Sequence, residues 1–149
     1  MELKDIAKNV LVSCLAAKAG EEVLVITDDT RVMIGQALYE GAKELGCEAM
    51  LLIMQERELS GQEPPKTVAE AMKTADIVIA PTAKSLTHTN ARIQAAANGT
   101  RLATMPGITE EMFSQGAMTA DYDEVEKLTA KVTEMLTKAK VARVEKEDC

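Results

Sequence analysis

The sequence has very few aromatic residues, with one Phe, two Tyr and no Trp among its 149 residues. Proteins that bind single-stranded nucleic acids stack the bases on aromatic side chains, and this chain lacks such a platform. Basic residues are also outnumbered, with 17 Lys and Arg against 24 Asp and Glu, and the formal net charge is −7. A negative charge of this size repels phosphate backbones, so nucleic acid is not an expected partner.

Cysteines and long apolar runs are scarce too. The three cysteines, Cys14, Cys47 and Cys149, are odd in number and widely spaced. This pattern indicates free thiols in a reducing compartment rather than a disulfide framework. The N-terminus mixes acids and lysines at helical spacing, which is not the pattern of a signal peptide. The longest apolar run, residues 49–54, is far shorter than the about 20 residues that cross a bilayer. We therefore expect a soluble, cytoplasmic protein without a membrane partner.

Short apolar runs alternate with segments of helical periodicity. Residues 2–18 are predicted to form an amphipathic helix that ends before Gly20, with Cys14 on its apolar face. Four runs are typical of strands buried on both faces of a parallel sheet, and they cover residues 23–27, 49–54, 76–81 and 101–105. Helices are predicted between the strands, at residues 31–45, 67–73 and 87–99, and a short helix and a long one follow the last strand.

Three helix starts carry capping signals. The Ser/Thr-x-x-Glu pattern at 67–70 predicts a capping box, Thr109 is expected to cap a short helix, and Asp121 with Glu124 is expected to cap the last one. The last helix is predicted to bury one apolar face, made of Val125, Leu128, Val132, Met135, Leu136 and Ala139. Residues 1–140 are expected to form a single α/β domain, and residues 141–149 a tail or the start of a second domain.

The alternation predicts a three-layer, doubly wound α/β fold of the Rossmann or flavodoxin type, with a mainly parallel four-stranded sheet in the order 2-1-3-4. Ligands of such sheets bind beyond the carboxyl ends of the strands, where the strand order reverses. The loops "ITDDTR" and "APTAKSLTHTNAR" are expected to meet at that place. The candidate residues for a ligand or interdomain surface are Thr27, Asp28, Asp29, Arg31, Thr82, Lys84, Ser85, Thr87 and His88.

Two common uses of this fold lack their signatures. Residues 27–32 contain no glycine, so the Gly-x-Gly-x-x-Gly turn of a dinucleotide site is missing, and no P-loop sequence occurs. A magnesium site of the receiver type could use Asp28 and Asp29, but Pro81 and Thr82 stand where the third strand should offer an acceptor aspartate. The favoured interpretation is that at least one of the two aspartates N-caps the following helix.

The loop around the chain's only histidine permits several interpretations. Ser85 and His88 could form a nucleophile and base, but no Gly-x-Ser-x-Gly turn surrounds the serine. The simpler hypothesis is that Ser85, Thr87 and Thr89 satisfy amides at a helix start while His88 stays partly exposed. Lys84 could hold an anion or a carboxylate of another domain. A catalytic zinc is disfavoured, because the chain has a single His and no Cys-x-x-Cys pair.

Several segments resemble the N-terminal half of bacterial leucyl aminopeptidases related to the M29 metallopeptidases. They are "TDDTR", "GQEPP", "ADIVIAPTAKSLTHTNAR", "ATMPGITEEM" and "GAMTADYDEVEKLT". The likeness runs in order over essentially the whole chain. Its strongest parts are "SLTHT" and "MPGIT".

This resemblance implies an N-terminal domain followed by a C-terminal domain in which Glu, His, Asp and Tyr hold two divalent metals, Zn or Co. Those ligands would lie beyond Cys149, so no cofactor is expected in this chain, which should be inactive alone. The implied partner is the missing catalytic domain or a second copy of the chain, with a peptide as possible ligand. The alternative hypothesis is a free-standing α/β module that binds a small anionic ligand at the strand-end crevice.

Overall fold

The computed structural model describes residues 2–147. Its elements in chain order are α1 (Leu3–Leu15), β1 (Glu22–Asp28), α2 (Val32–Glu44), β2 (Glu48–Met54), α3 (Lys66–Met72), β3 (Ile77–Thr82), α4 (Asn90–Ala97), β4 (Arg101–Pro106), α5 (Glu110–Ser114) and α6 (Tyr122–Lys138), with a 3-10 turn at Gly116–Thr119. Each strand and helix predicted from the periodicity is present, with its ends shifted by a few residues at most.

All strand pairs are parallel, and the sheet order is β2-β1-β3-β4, so the predicted fold class and strand order are confirmed. In register, Val25 of β1 lies between Leu51 of β2 and Ile79 of β3. The central strands are buried on both faces, whereas β2 and β4 at the edges are partly exposed. Because the strands are parallel, their carboxyl ends lie along one edge of the sheet, called the strand-end edge below.

The sheet separates two apolar cores. Alternate side chains of a strand point to opposite faces, so Val23 and Val25 enter one core while Leu24 and Ile26 enter the other. The first core is completed by residues of α1, α2 and α5, and the second by residues of α3 and α4. The arrangement has the three layers that the alternating pattern predicts.

Helix α1 ends earlier than predicted. Ala16 adopts a left-handed conformation with φ 49°, so the helix ends at Leu15 and not at residue 18. The guanidinium group of Arg101 donates hydrogen bonds to the carbonyl oxygens of Leu15 (2.7 Å) and Ala16 (2.9 Å), and it also pairs with Glu21, which lowers the pKa of that carboxyl group. Cys14 lies within α1 but is exposed, so its expected place on the buried apolar face of the helix is wrong.

Two of the three predicted caps are confirmed. Thr109 accepts a hydrogen bond from the Met112 amide, and Asp121 accepts from the amides of Asp123 and Glu124. The capping box at 67–70 is wrong, because Pro65 is the N-cap of α3 and makes no side-chain cap bond. Proline fits this position because its fixed φ suits a helix start, where an N–H group would lack a helical partner.

The chain forms two compact units, with the boundary between Thr119 and Ala120. The sheet and both cores belong to the first unit, and α6 belongs to the second. The structure describes every residue of α6, and none of them is buried. The expectation that α6 buries its apolar face is therefore wrong.

Candidate functional site

The loops after β1 and β3 meet at the strand-end edge, as the predicted strand order requires. Thr27 and Thr82 are buried near the ends of these strands. The Thr27 hydroxyl donates to the Pro81 carbonyl oxygen at 2.9 Å, and the Thr82 hydroxyl donates to the Lys84 carbonyl oxygen at 2.7 Å. Both hydroxyl groups therefore hold loop backbone in place.

Asp28 joins the two loops. Its side chain is 1% exposed. One carboxylate oxygen accepts from the amide and hydroxyl of Thr30, and the other accepts from the Ala83 amide. This carboxylate closes the turn before α2 but does not cap the helix, whose N-cap is Arg31 without a side-chain bond.

Asp29 does not cap α2 either. It is exposed, and its carboxylate accepts from the Glu56 amide at 3.1 Å while its own amide donates to the Met54 carbonyl oxygen. The predicted aspartate cap is therefore wrong, because Asp28 turns towards β3 and Asp29 towards the loop after β2.

A chain of hydroxyl groups fixes the "SLTHT" loop. The Ser85 hydroxyl donates to Thr87 at 2.9 Å, and the hydroxyls of Thr87 and Thr104 share a hydrogen bond of 2.8 Å. Thr89 caps α4 by accepting from the Arg92 amide. His88 is exposed. The Ser85 hydroxyl thus bonds to Thr87, as the simpler structural hypothesis for this loop expects.

The loop after β2 is also part of the strand-end edge, although residues 60–65 are featureless as sequence. The Ser60 hydroxyl oxygen accepts from the Ser85 amide at 3.2 Å. Glu63 accepts from the amides of Asn90 (2.6 Å) and Ala91 (3.1 Å) at the start of α4. The sequence does carry a signal for this role, because β2 ends at the same edge as β1 and β3.

Charged groups of the edge surround a cavity of about 450 Å³. Its lining residues are Asp29, Gln55, Glu56, Arg57, Glu58 and Lys84. The Lys84 amine lies 3.9 Å from a Glu56 carboxylate oxygen, and the Nε atom of Arg57 is buried without a hydrogen-bond partner. The cavity is large enough for a small polar ligand, and its lining combines three carboxylates with two cations.

Arg31 belongs to a different cavity, of about 330 Å³, which it lines with Thr30, Ile34, Thr109, Glu110 and Glu111. Its guanidinium donates to the carbonyl and hydroxyl oxygens of Thr30, and its Nε atom is buried without a partner. Of the nine candidate residues, only Asp29 and Lys84 line the larger cavity. Arg31 therefore lines a different cavity from Asp29 and Lys84.

Among the side chains of residues 2–147, no group of three or more His, Cys, Asp and Glu is arranged to hold a metal ion. In the same part of the chain, no helix is both long and apolar enough to cross a membrane.

The fold and the strand-end edge define a Rossmann-like α/β domain. No protein-family model matches the sequence, and neither does any curated protein. A solved structure of 2,5-dihydroxypyridine dioxygenase from Pseudomonas putida KT2440 is similar, with a TM-score of 0.59, 16% identity and coverage of 70% of this chain and 33% of the dioxygenase. A fatty acid ABC transporter substrate-binding protein from Thermomonospora curvata gives a TM-score of 0.54 and 13% identity, with 91% and 40% covered.

Wild-type AmpT from Thermus thermophilus is a weaker match, with a TM-score of 0.49, 15% identity and coverage of 70% of this chain and 35% of AmpT. The chain spans only 33% to 40% of the length of these three proteins. At such low identity, the two similarities with TM-scores above 0.5 support the α/β fold and no specific activity.

Proposed function

We propose that this chain is the N-terminal, non-metal domain of an M29-like leucyl aminopeptidase, and that its strand-end edge forms one wall of the peptide cleft and the surface facing the metal-binding domain. The observation that carries the proposal is the convergence of the resembling motifs. "TDDTR" supplies Asp28, "GQEPP" supplies Glu63 and "SLTHT" supplies Ser85 and Thr87. These segments lie far apart in the sequence, yet all three hold the loops of one edge.

The distribution of buried and exposed polar groups along the strand-end edge supports a cleft wall rather than a reaction centre. The polar groups of Thr27, Asp28 and Thr82 are buried and bonded within the protein. Asp29 and His88 are exposed, and Lys84 is half-buried. Rigid loops that present exposed polar groups are the usual way in which a scaffold contacts a ligand or another domain.

Reading the DNA downstream of codon 149 tests the proposal. We expect a reading frame, continuous or restored by one frameshift, that encodes a second domain with Glu, His, Asp and Tyr ligands for two divalent metals. Unrelated sequence after a stop codon would refute the proposal.

An assay of the purified chain gives an independent test. We expect no hydrolysis of leucyl p-nitroanilide with added Co²⁺ or Zn²⁺, because residues 2–147 offer no metal-binding group of side chains. Turnover that persists through a second purification and that Lys84→Ala abolishes would assign the reaction to this chain and contradict the proposal. Lys43→Ala, which alters an exposed lysine on α2, is the matched control.

The second candidate is a free-standing module that binds a small anionic ligand, and the cations of Lys84 and Arg57 at the 450 Å³ cavity favour it. The strand-end amides favour it less, because those of Ala83 and Ser85 already donate to Asp28 and Ser60. A rise in melting temperature with inorganic phosphate that Lys84→Ala removes and Lys43→Ala keeps would support this candidate.

We also propose that the protein works in the cytoplasm, in accord with the free thiols of Cys14 and Cys47.

A further inference from the structure

Helix α6 carries an exposed apolar stripe with heptad spacing. Val125, Leu128, Val132 and Met135 follow one another at intervals of three, four and three residues, and Leu136 flanks them. Between 44% and 64% of each of these residues is exposed. Valine at the a positions with leucine or methionine at the d positions is typical of one strand of a coiled coil. Such a stripe on an exposed helix marks an interaction surface.

The charges beside the stripe are distributed unevenly along α6. Its first turn contains the acids Asp123 and Glu124, and its last turn contains Lys138. In the heptad that places Val125 and Val132 at a positions, Glu124, Lys131 and Lys138 occupy successive g positions. These residues border the stripe and would face the flank of a partner helix.

We propose that α6 pairs in antiparallel orientation with α6 of a second copy of this chain. In an antiparallel pair the g positions face each other, so Glu124 lies beside the partner's Lys138, and the two-fold axis repeats this contact. The stripes cover each other, and the acidic first turn of each helix meets the basic last turn of the other, where the helix dipoles also favour opposite charges. A parallel pair would place Glu124 beside a threonine.

Two features weaken the antiparallel pair of α6 helices. Lys138 also forms an ion pair with Glu134 on its own helix, but that pair is exposed and contributes little, and the amine has further protons to donate. Lys131 faces its own counterpart near the two-fold axis, where like charges repel each other. The dimer is therefore expected to be weak and to dissociate on dilution. Because the Lys131 contact is unfavourable, removing this lysine should strengthen the dimer.

Sedimentation equilibrium of the full chain, over a roughly hundredfold range of concentration, tests whether the pair forms. We expect a monomer–dimer equilibrium whose dissociation constant rises at least about tenfold in Leu128→Asp. Thr133→Asp introduces the same charge on α6 outside the stripe, and it should leave the constant within about twofold. Circular dichroism is the control that both variants keep their helix content. A chain that stays monomeric, or a dimer that Leu128→Asp does not weaken, would overturn the proposal.

Charge changes test the orientation. Glu124→Lys and Lys138→Glu should each weaken the dimer about threefold to tenfold, and the double variant should recover most of the loss because it restores opposite charges. Lys131→Ala should tighten the dimer, since it removes the repulsion at the axis. Additive weakening in the double variant would exclude the antiparallel pair. The proposal does not depend on the aminopeptidase assignment, because these measurements involve neither metal nor peptide.

Discussion

A buried carboxylate holds the two strand-end loops together. Asp28 accepts from both polar groups of Thr30 and from the amide of Ala83, which lies 55 residues away in the sequence. Hydrogen bonds to a charged acceptor are stronger than neutral ones, and an amide left buried without a partner is costly. The geometry of the candidate site therefore depends on this side chain.

Replacing Asp28 with Ala should lower the free energy of unfolding by about 3 kcal/mol, because the amides of Thr30 and Ala83 lose their acceptor. Asp28→Asn should cost less, since it keeps one oxygen for Thr30 but turns a donor towards Ala83. Urea unfolding measures both changes. Asp29→Ala is the control, and its exposed single bond to the Glu56 amide should be worth less than about 1 kcal/mol. Equal effects at positions 28 and 29 would contradict this account.

The sequence predicts where Asp28 lies but not what it does. A polar residue after an apolar run indicates a strand-end loop, and the strand order places that loop beside the one that follows β3. The acceptor role depends on the separation between Asp28 and Ala83 in the folded chain, which no local pattern reveals. The same limit applies to Glu63, whose partners Asn90 and Ala91 begin a helix 27 residues further on.

Among the elements, α2 and β1 pack closely enough that a glycine is required. A Cβ atom added at Gly35 would lie 2.8 Å from Cγ2 and 3.0 Å from Cβ of Thr27. The Thr27 hydroxyl is fixed by its bond to Pro81, so the side chain is not free to rotate away. Gly35 thus lets α2 approach the end of β1, where the candidate site begins.

Gly35→Ala should destabilise the fold by about 1–2 kcal/mol, because overpacking outweighs the better helix propensity of alanine. Thr27→Ser removes Cγ2 but keeps the hydroxyl, so it should recover part of the loss in a double-mutant cycle. Gln36→Ala, on the exposed side of α2, is the control and should change stability by less than about 0.5 kcal/mol. A stabilised Gly35→Ala variant would show that the backbone shifts freely at this contact.

Strands were more predictable than helix ends. The central strands are buried on both faces, so their sequences are continuously apolar and bounded by polar loops. Helix α1 ends where Arg101, far along the chain, reaches its last carbonyl groups. Helix α3 begins after Pro65, a local signal that competes with the Thr67 pattern and wins. Ends set by distant partners are therefore invisible to local periodicity.

For the whole molecule, the two apolar cores lie on opposite faces of one sheet, and both belong to the first compact unit. The sequence predicts the three layers because the period of apolar residues changes at each boundary. It does not predict the exposure of α6, because an apolar stripe at helical spacing looks the same whether it covers a core or a second molecule. Patterning identifies a surface that needs cover but not its partner.

A chain that ends at Thr119 should therefore still fold. It keeps both cores and the whole sheet, so we expect one cooperative thermal transition with a melting temperature within about 5 °C of the full chain. A chain that ends at Gly107 is the matched control. It lacks Phe113, which is fully buried in the first core, and this loss should cost about 3–5 kcal/mol. Calorimetry compares the three chains. An unfolded Thr119 chain would show that residues 120–147 are required for the α/β unit, and the exposed stripe of α6 would then need a different explanation from a second copy.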